Sequence, residues 1–165
     1  MFAVGQGGRL SSSPAVNSEP GTVPFAISFD RHGDVLIAEA GPNALVSFTL
    51  AGDGVLTVEH TALTGQAATC WVARAGQFFY ASNAGSGSVS GYTAGFGGQL
   101  TALGNTSTDA GTVDAASTPF GRFLYVQAGG PGAVDEFAVG QGGSLTKIGS
   151  VTVAGAAGGE GIVAS

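Results

Sequence analysis

Basic charge is scarce in this sequence, and it is not gathered in one place. Five lysine and arginine residues stand against eleven aspartate and glutamate residues, which gives a formal net charge of -6. Because the basic residues are scattered along the chain, no basic face is available to neutralise the phosphates of a nucleic acid. We therefore expect no nucleic-acid partner.

Cysteine, histidine and long apolar runs are also rare or missing. The single cysteine, Cys70, excludes an intrachain disulfide framework, and two distant histidines do not supply the ligands of a zinc site. We expect no metal and no cofactor. No run approaches the roughly 18 apolar residues of a membrane helix, and the amino end lacks the order of a secretory signal. We expect a soluble chain without a membrane partner, cytoplasmic as written, with a parent that could be exported.

Glycine and strand-forming residues are abundant instead. The 165 residues include 30 glycines and ten phenylalanines, and 44% of the chain is hydrophobic. This composition is too apolar for a disordered segment and is typical of short strands joined by tight turns. The length suits one domain with a sizeable core. We therefore predict a single all-β domain.

The sequence repeats itself with a period of 44 or 45 residues, which is the signature of a repeat fold. The segments VLIAEAGPNALVSFTL, FFYASNAGSGSVSGYT and FLYVQAGGPGAVDEFAV superimpose. We predict four short strands, A to D, in each repeat. In the first repeat they are residues 26–29, 35–39, 45–50 and 55–61. Two aligned columns hold Glu39, Asn83 and Gln127, and Phe48, Tyr92 and Phe137.

These repeats predict a β-propeller of four-stranded antiparallel blades, about three and a half of them in this chain. Turn glycines recur too often for pairs of helices. A parallel β-helix, suggested by GQGG and AGAAGGEG, is the alternative, although its coils are shorter than this repeat. The predicted division is residues 1–19 as strands C and D of a split blade, 23–63, 66–108 and 112–153 as blades, and 160–165 as strand A of a split blade.

The amino-acid sequence of the repeats resembles that of a known family. The stretches TPFGRFLYV and NAGSGSVSGY, with the closing GGxLT pattern, are similar to the lactonase family of seven-bladed propellers, which includes bacterial 6-phosphogluconolactonase. The resemblance spans nearly the whole chain. It implies a seven-bladed parent whose C-terminal half this chain supplies, and a sugar lactone hydrolysed at the central channel. The family's histidine, arginine and glutamate set has no match at the entrances to strand A, where Phe25, Thr69 and Asp114 stand, so the catalytic residues are unknown.

Polar residues gather at one predicted end of the blades. Each member of the first column ends a strand B, near the loops that line the top of a propeller. Such a neutral-to-acidic ring suits a hydroxyl-rich ligand, but the same side chains could instead hydrogen-bond backbone or water. The predicted ligand-binding set is Glu39, Asn83, Gln127, Gln66, Thr69 and Asp114, joined on that face by Glu160.

The remaining reactive residue types are poorly placed for catalysis. His32 falls in the turn between strands A and B, on the opposite face, and His60 falls on an outermost strand. Without a histidine base or a G-x-S-x-G turn, nucleophilic catalysis is not expected. We expect Cys70 and Trp71 to pack in the core. We expect Asp135 and Glu136 to face opposite sides of a strand and to be solvent-facing.

Two functions from different classes remain open. The first is a non-catalytic or weakly active fragment of a lactonase-like propeller, a scaffold that binds a small hydroxylated, sugar-like ligand or a protein. The second is a lactone hydrolase of the 6-phosphogluconolactonase type. Since a blade cannot cover both of its faces alone, we also expect a homodimer that closes a ring of roughly eight blades by strand exchange or blade-flank contact. A compact four-bladed monomer is the competing closure.

Overall fold

The computed structural model describes residues 1–165 and contains twelve strands in three antiparallel four-stranded sheets. Strand order within each sheet follows the chain order. Helical structure is limited to two three-residue turns, at Gln6–Gly8 and Phe96–Gly98. No helix is long and apolar enough to cross a membrane. The fold is all-β, as the repeat predicted.

The three sheets are named here as blades. Blade 1 contains β1 (Pro24–Phe29), β2 (Val35–Glu39), β3 (Ala44–Leu50) and β4 (Leu56–Leu63). Blade 2 contains β5 (Thr69–Ala75), β6 (Phe78–Asn83), β7 (Ser88–Ala94) and β8 (Leu100–Ser107). Blade 3 contains β9 (Thr112–Ser117), β10 (Phe123–Ala128), β11 (Ala133–Val139) and β12 (Leu145–Thr152).

The two middle strands of a blade are covered on both faces, which explains their nearly continuous apolar sequences. All five residues of β2 and all six of β6 are buried. The outermost strands β4, β8 and β12 are largely exposed and carry more polar residues. Strands A of the blades, β1, β5 and β9, contact one another across the blade boundaries. The blades therefore stack flank to flank around their strands A, which is the propeller arrangement.

Two apolar clusters join the blades. Between blades 1 and 2, Leu36 and Leu45 share a buried cluster with Phe79 and Tyr92. Between blades 2 and 3, buried aromatic and aliphatic residues of both sheets form a cluster of the same size. Its largest member, Tyr80, donates its hydroxyl to the Gly143 carbonyl of blade 3 at 2.8 Å, and burial raises its pKa to about 12.

One glycine carbonyl in each C–D loop accepts a hydrogen bond from the preceding unit. Ser47 Oγ of blade 1 donates to Gly98 O at 2.6 Å, just as Tyr80 donates to Gly143 O. The equivalent carbonyl of blade 1, Gly54 O, accepts from Asn17 Nδ2 at 3.0 Å. Asn17 belongs to the segment before the first strand, so this segment occupies the position of a preceding blade.

Residues 17–23, named here the strap, cross the outer flank of blade 1. At one end Asn17 Oδ1 accepts from the Leu56 amide at 2.8 Å, and at the other Val23 O accepts from the Ala40 amide at 3.0 Å. The flank beneath is fully buried, with Val35 and Phe48 at 0% exposure. Blade 2 lies on the other side of this sheet, so the amino-terminal residues provide the cover.

The strands predicted at the two ends do not form. Residues 1–19 contain only a single antiparallel bridge, Val4 to Leu10, around the turn at Gln6–Gly8. The turn itself matches its counterpart in blade 3, because Gly5 N bonds Arg9 O at 2.8 Å as Gly140 N bonds Ser144 O. Residues 160–165 form no strand. A hairpin or a lone strand is marginal without neighbouring strands to pair with, and neither end has them.

Candidate functional site

The upper face of the blades is the end that carries the B–C loops (40–43, 84–87, 129–132) and the D–A loops (64–68, 108–111). Glu39 and Asn83 end their strands B at this face, Thr69 begins a strand A, and Gln66 lies in a D–A loop. These four predicted residues therefore share one end of blades 1 and 2.

Gln127 does not belong to the predicted column of Glu39 and Asn83. Strand pairing sets Glu39 opposite Ala44 and Asn83 opposite Ser88, whereas Ala133, the equivalent residue of blade 3, pairs with Ala128. Ala128 is thus the true third member. Since successive side chains of a strand point to opposite faces, Gln127 faces the outer flank of blade 3 rather than blade 2.

Asp114 is also displaced from its predicted place beside Thr69. Thr69 pairs with Asn83, and the equivalent pair in blade 3 is Thr112 with Ala128. Asp114 lies two residues further into β9, within the irregular stretch between Thr112 and Ala115; a similar irregularity interrupts all three strands A. Its carboxylate accepts hydrogen bonds from the amides of Ala115 at 2.7 Å and Ile162 at 3.1 Å. Glu160 lies in the same carboxyl-terminal stretch and is exposed.

Asn83 is fully buried and its hydrogen bonds stay within the protein. Its Oδ1 accepts from Thr69 Oγ1 at 2.7 Å, and its Nδ2 donates to Ser90 Oγ at 2.9 Å and to Ser88 Oγ at 3.2 Å. Ser88 Oγ in turn donates to Gln66 Oε1 at 2.9 Å. These four polar side chains form one chain of hydrogen bonds with Asn83, so little of it is free to bind a ligand.

A threonine pair closes each boundary between blades at this face. Thr64, which follows β4, lies 3.0 Å from Thr69 through the two Oγ1 atoms, and Thr108 makes the same contact with Thr112. The Thr69 amide also donates a hydrogen bond to Asn43 Oδ1 of blade 1 at 3.2 Å. The hydrogen bonds of Thr69 therefore link blades 1 and 2 and do not serve to bind a ligand.

Glu39 is buried but has no hydrogen-bonding partner. Its strand neighbour is Pro24, where blade 2 has Thr69, so the hydroxyl that binds Asn83 is missing. Burial raises the pKa of Glu39, and the nearby Glu19 carboxylate raises it further. Both effects disfavour the ionised carboxylate relative to that of an exposed glutamate.

Gln127 lines a cleft of about 240 Å³ between β10, β11 and the carboxyl-terminal stretch. Val134, Val153 and Ile162 supply apolar walls to this cleft. Gln127 is only 9% exposed, and its Oε1 is buried without a hydrogen-bonding partner. An unsatisfied buried amide oxygen carries a cost that a bound donor would remove.

Cys70 and Trp71 differ in burial. Cys70 is buried on β5, where burial raises the pKa of its thiol above the ordinary value. The thiol is therefore a poor nucleophile at neutral pH. Trp71, expected in the core, is only partly buried, and its ring lies 6.2 Å from the ring of Phe25 on the neighbouring strand A. The expectation was wrong for Trp71, although its strand β5 contacts strands A on both sides, β1 and β9.

The histidines lie where the sequence predicted them. His32 is in the A–B loop of blade 1, at the end opposite the upper face, and His60 is on outer strand β4. His60 Nε2 lies 3.1 Å from Gln99 Nε2, also away from the upper face. No histidine approaches Asn83, Gln127 or Cys70, so these groups have no neighbouring base.

Asp135 is a buried ionic residue that the sequence reading missed. It was expected to be solvent-facing, yet it is fully buried between blades 2 and 3, whereas Glu136 on the opposite side is half-buried. Lys147 Nζ lies 2.7 Å from its Oδ1, and the Asp109 amide donates to its Oδ2 at 2.7 Å. Burial alone would raise the pKa of Asp135, but these two bonds outweigh burial and lower it. The aligned position of the other two repeats could have revealed this burial, because it holds Val46 in blade 1 and Ser90 in blade 2, and both are buried.

Comparisons with known proteins confirm the propeller fold. Solved structures that match include a protein from Lactobacillus plantarum (TM-score 0.79, 18% identity, 92% of this chain and 50% of that chain). A candidate 6-phosphogluconolactonase from Bacteroides fragilis matches with TM-score 0.75 and 23% identity over 87% of this chain and 44% of that one. The periplasmic gluconolactonase of Pseudomonas aeruginosa gives 0.69 and 21% over 79% and 42%. No family model and no curated protein matches the sequence.

The chain spans about half the length of these neighbours. At identities of 18–23% the likeness shows the fold, a β-propeller, and carries no catalytic residue across. The three blades align with less than the whole of each of these longer chains.

Proposed function

We propose that this chain is a non-catalytic part of a lactonase-like propeller and that its upper face binds a small hydroxylated ligand. The observation that carries the proposal is Gln127, whose buried Oε1 has no hydrogen-bonding partner beside a cleft of about 240 Å³. Asn83 and Thr69 are used within the protein, and Glu39, which also lacks a hydrogen-bonding partner, does not line this cleft. A site with one free amide and no base suits binding rather than turnover.

A neutral polyol fits this cleft better than an anion. A ligand hydroxyl can donate to Gln127 Oε1 and accept from Nε2, while the apolar walls at Val134 and Val153 contact its C–H groups. No basic residue lines the cleft to hold a phosphate or carboxylate. The ligand class is therefore a small sugar or sugar alcohol.

Thermal stabilisation by glucose and xylitol tests this binding. We expect either compound to raise the melting temperature of the protein and to be recovered unchanged. Gln127→Leu should abolish the rise, whereas the matched variant Gln141→Leu, at an exposed glutamine of a C–D loop, should retain it. A rise that persists in Gln127→Leu, or no rise with either compound, contradicts the proposed site.

We also propose that two copies of the chain associate to complete a ring. The apolar side chains of β1 at Phe25, Ile27 and Phe29 are about half exposed, at 55%, 52% and 48%. At the other end, Val151 and Val153 of blade 3 are 52% and 47% exposed. A second copy would bury both surfaces, which the strap and the carboxyl-terminal stretch leave open.

Light scattering coupled to size exclusion tests the association. A mass of twice 16.0 kDa at high concentration that falls on dilution supports it. A single species of 16.0 kDa at every concentration contradicts it and favours a compact monomer.

Lactone hydrolysis is the second candidate, because the neighbours include a gluconolactonase. The chain would then carry part of the channel at which such an enzyme acts. Hydrolysis of glucono-δ-lactone above the buffer rate, by the purified protein, would establish it and overturn the non-catalytic proposal. A rate equal to that of buffer at any protein concentration removes this candidate for the chain.

A further inference from the structure

The lower face, opposite the upper face, concentrates most of the scarce basic residues of the chain. This face carries the A–B loops (30–34, 76–77, 118–122) and the C–D loops. Arg31 and Arg122 lie in its A–B loops, and Arg74 stands near the end of β5 beside a third. Three of the five basic residues thus meet at one end of a chain whose net charge is -6.

A cleft of about 220 Å³ opens on this face between blades 1 and 2. Arg31 of blade 1 and Arg74 of blade 2 stand on its two sides, and Gln77 and Thr93 add polar groups. The buried ring of Phe79 is also part of its wall. The cleft is large enough for a molecule of about six to ten non-hydrogen atoms, the size at which a few well-placed polar groups dominate binding.

The two arginines keep most of their donors free. Arg74 Nε donates to Gly76 O at 2.8 Å and Nη1 to Phe29 O at 3.1 Å, and its guanidinium lies 5.8 Å from the centre of the Phe79 ring. Those contacts hold the guanidinium in place. Arg31 uses only Nε, which donates to His32 Nε2 at 3.0 Å. Neither guanidinium pairs with a carboxylate, since the ion pairs of the chain all involve Lys147. Of ten N–H donors on two guanidinium groups, seven have no protein acceptor.

Asp30 adds a hydrogen-bond acceptor to the same cleft, in contrast to the arginine donors. It is 7% exposed, and its Oδ1 accepts hydrogen bonds from the amides of His32 at 2.7 Å and Asp34 at 2.9 Å. Its Oδ2 is buried and has no donor at all. A buried carboxylate oxygen without a donor is costly and uncommon, and here it borders a cleft in which a ligand could provide one.

We propose that this lower cleft is a second binding site, for a small α-hydroxy carboxylate. The ligand carboxylate accepts from the free guanidinium N–H groups of Arg31 and Arg74, the pairing that arginine makes best. The hydroxyl on the adjoining carbon donates to Asp30 Oδ2. Two arginines and one aspartate leave the cleft with one positive charge, which a monoanion neutralises and a zwitterionic amino acid does not. The site is independent of the proposed polyol cleft, which lies at the other end of the blades.

Three compounds with the same three-carbon skeleton separate the parts of this proposal: lactate, propionate and alanine. Calorimetric titration at low salt should give lactate binding about tenfold tighter than propionate, since only lactate donates to Asp30. Alanine should bind more weakly than lactate because its ammonium leaves the cleft charge uncompensated. Equal binding of lactate and propionate, tighter binding of alanine, or no binding of any of the three overturns the proposal.

Variants locate the site. Asp30→Asn keeps an oxygen for the two loop amides but replaces the free acceptor by a donor, so it should abolish the preference for lactate over propionate. Arg31→Gln, at an exposed position that does not threaten folding, should weaken both acids about tenfold or more. Arg122→Gln, an arginine of the same face outside the cleft, should leave both affinities unchanged. Unaltered lactate binding by Arg31→Gln, or an equal loss in Arg122→Gln, contradicts the site.

Discussion

The upper face shows how one residue changes the role of a position that recurs in every blade. Where blade 2 has Asn83 bonded to Thr69, blade 1 has Glu39 facing Pro24, and blade 3 has Ala128. At this strand end the side chain has no hydrogen-bonding partner in blade 1, is hydrogen-bonded in blade 2 and is apolar in blade 3. Only the position in blade 2 stabilises a blade through a closed set of hydrogen bonds.

Removing the Asn83 side chain should destabilise the protein without unfolding it. Asn83→Ala removes one hydrogen-bonding partner from the buried hydroxyl of Thr69 and the partner of the buried Ser90 hydroxyl, which should lower the free energy of unfolding by about 1–3 kcal/mol. Blade 3 tolerates alanine here, so the strand itself should persist. Urea denaturation measures the change, with Asn105→Ala at an exposed asparagine of β8 as control. Equal midpoints for the two variants would show that the network contributes nothing.

The ion pair of Asp135 and Lys147 should make stability depend on pH. Because the folded-state pKa of Asp135 is lowered, its contribution is present above the ordinary aspartate pKa and is lost as the pH falls through the folded value. Lys147→Met leaves a buried carboxylate with one partner fewer. Since Lys147 is partly exposed and screened by water, we expect a loss of roughly 1–3 kcal/mol at pH 7.

Thermal melts at several pH values check this contribution. The difference between the wild type and Lys147→Met should shrink as the pH falls below about 4. Arg9→Met, at an exposed residue without an ion pair, should show no such difference. A gap that is constant with pH would mean that the lysine acts through packing and not through charge.

At the scale of elements, the contacts between blades are made by loops as much as by strands. The C–D loop carbonyls of Gly54, Gly98 and Gly143 each accept a hydrogen bond from the unit before them. The A–B loop of blade 3 likewise packs on blade 2, where Gly121 lies against Gly76, and just before this loop Ser117 Oγ of β9 donates to Arg74 O at 2.8 Å. These loops set the spacing of the blades.

Gly121 should be the least replaceable residue of that A–B loop. Its φ is +65°, and an added Cβ would lie 2.3 Å from the Gly76 backbone nitrogen of blade 2. Gly121→Ala must therefore push two backbones apart, and we expect a loss of more than about 3 kcal/mol. Gly97→Ala is a matched control, since its φ is +67° but nothing lies within 4 Å. It should cost only about 1 kcal/mol. Similar losses for the two variants would mean that the close approach of the loops is absent.

The sequence predicted strands B and C well and strand A poorly. The predicted range 35–39 coincides with β2, and 45–50 falls one residue short of β3, because these strands are apolar and bounded by turns. The predicted alignment of the repeats was wrong at Gln127 and at Asp114. A fixed repeat period does not account for the different lengths of the A–B loop, which has two residues in blade 2 (76–77) and five in blade 3 (118–122). It also does not account for the bulge in strand A. Both shifts move a side chain to another face or depth.

At the scale of the molecule, the chain is an arc of three blades, and the outer flanks of its first and last blades are covered to different extents. The strap buries the apolar flank of blade 1, with Val35 and Phe48 at 0% exposure. On blade 3, Ile148 and Val151 of β12 remain about half exposed. The sequence indicated that a blade cannot cover both of its faces alone, but it could not show that the strap covers the outer flank of blade 1.

The most direct test of the account is whether distant repeats touch where the blades meet. A two-dimensional nuclear Overhauser spectrum of the folded protein should show cross-peaks between Ser47 and Gly98, and between the Phe78 ring and Gly143. Both contacts join neighbouring blades, so both cross-peaks require that the blades pack flank to flank in chain order. A well-dispersed β-sheet spectrum in which both pairs give no cross-peak would contradict the propeller and with it both proposed clefts.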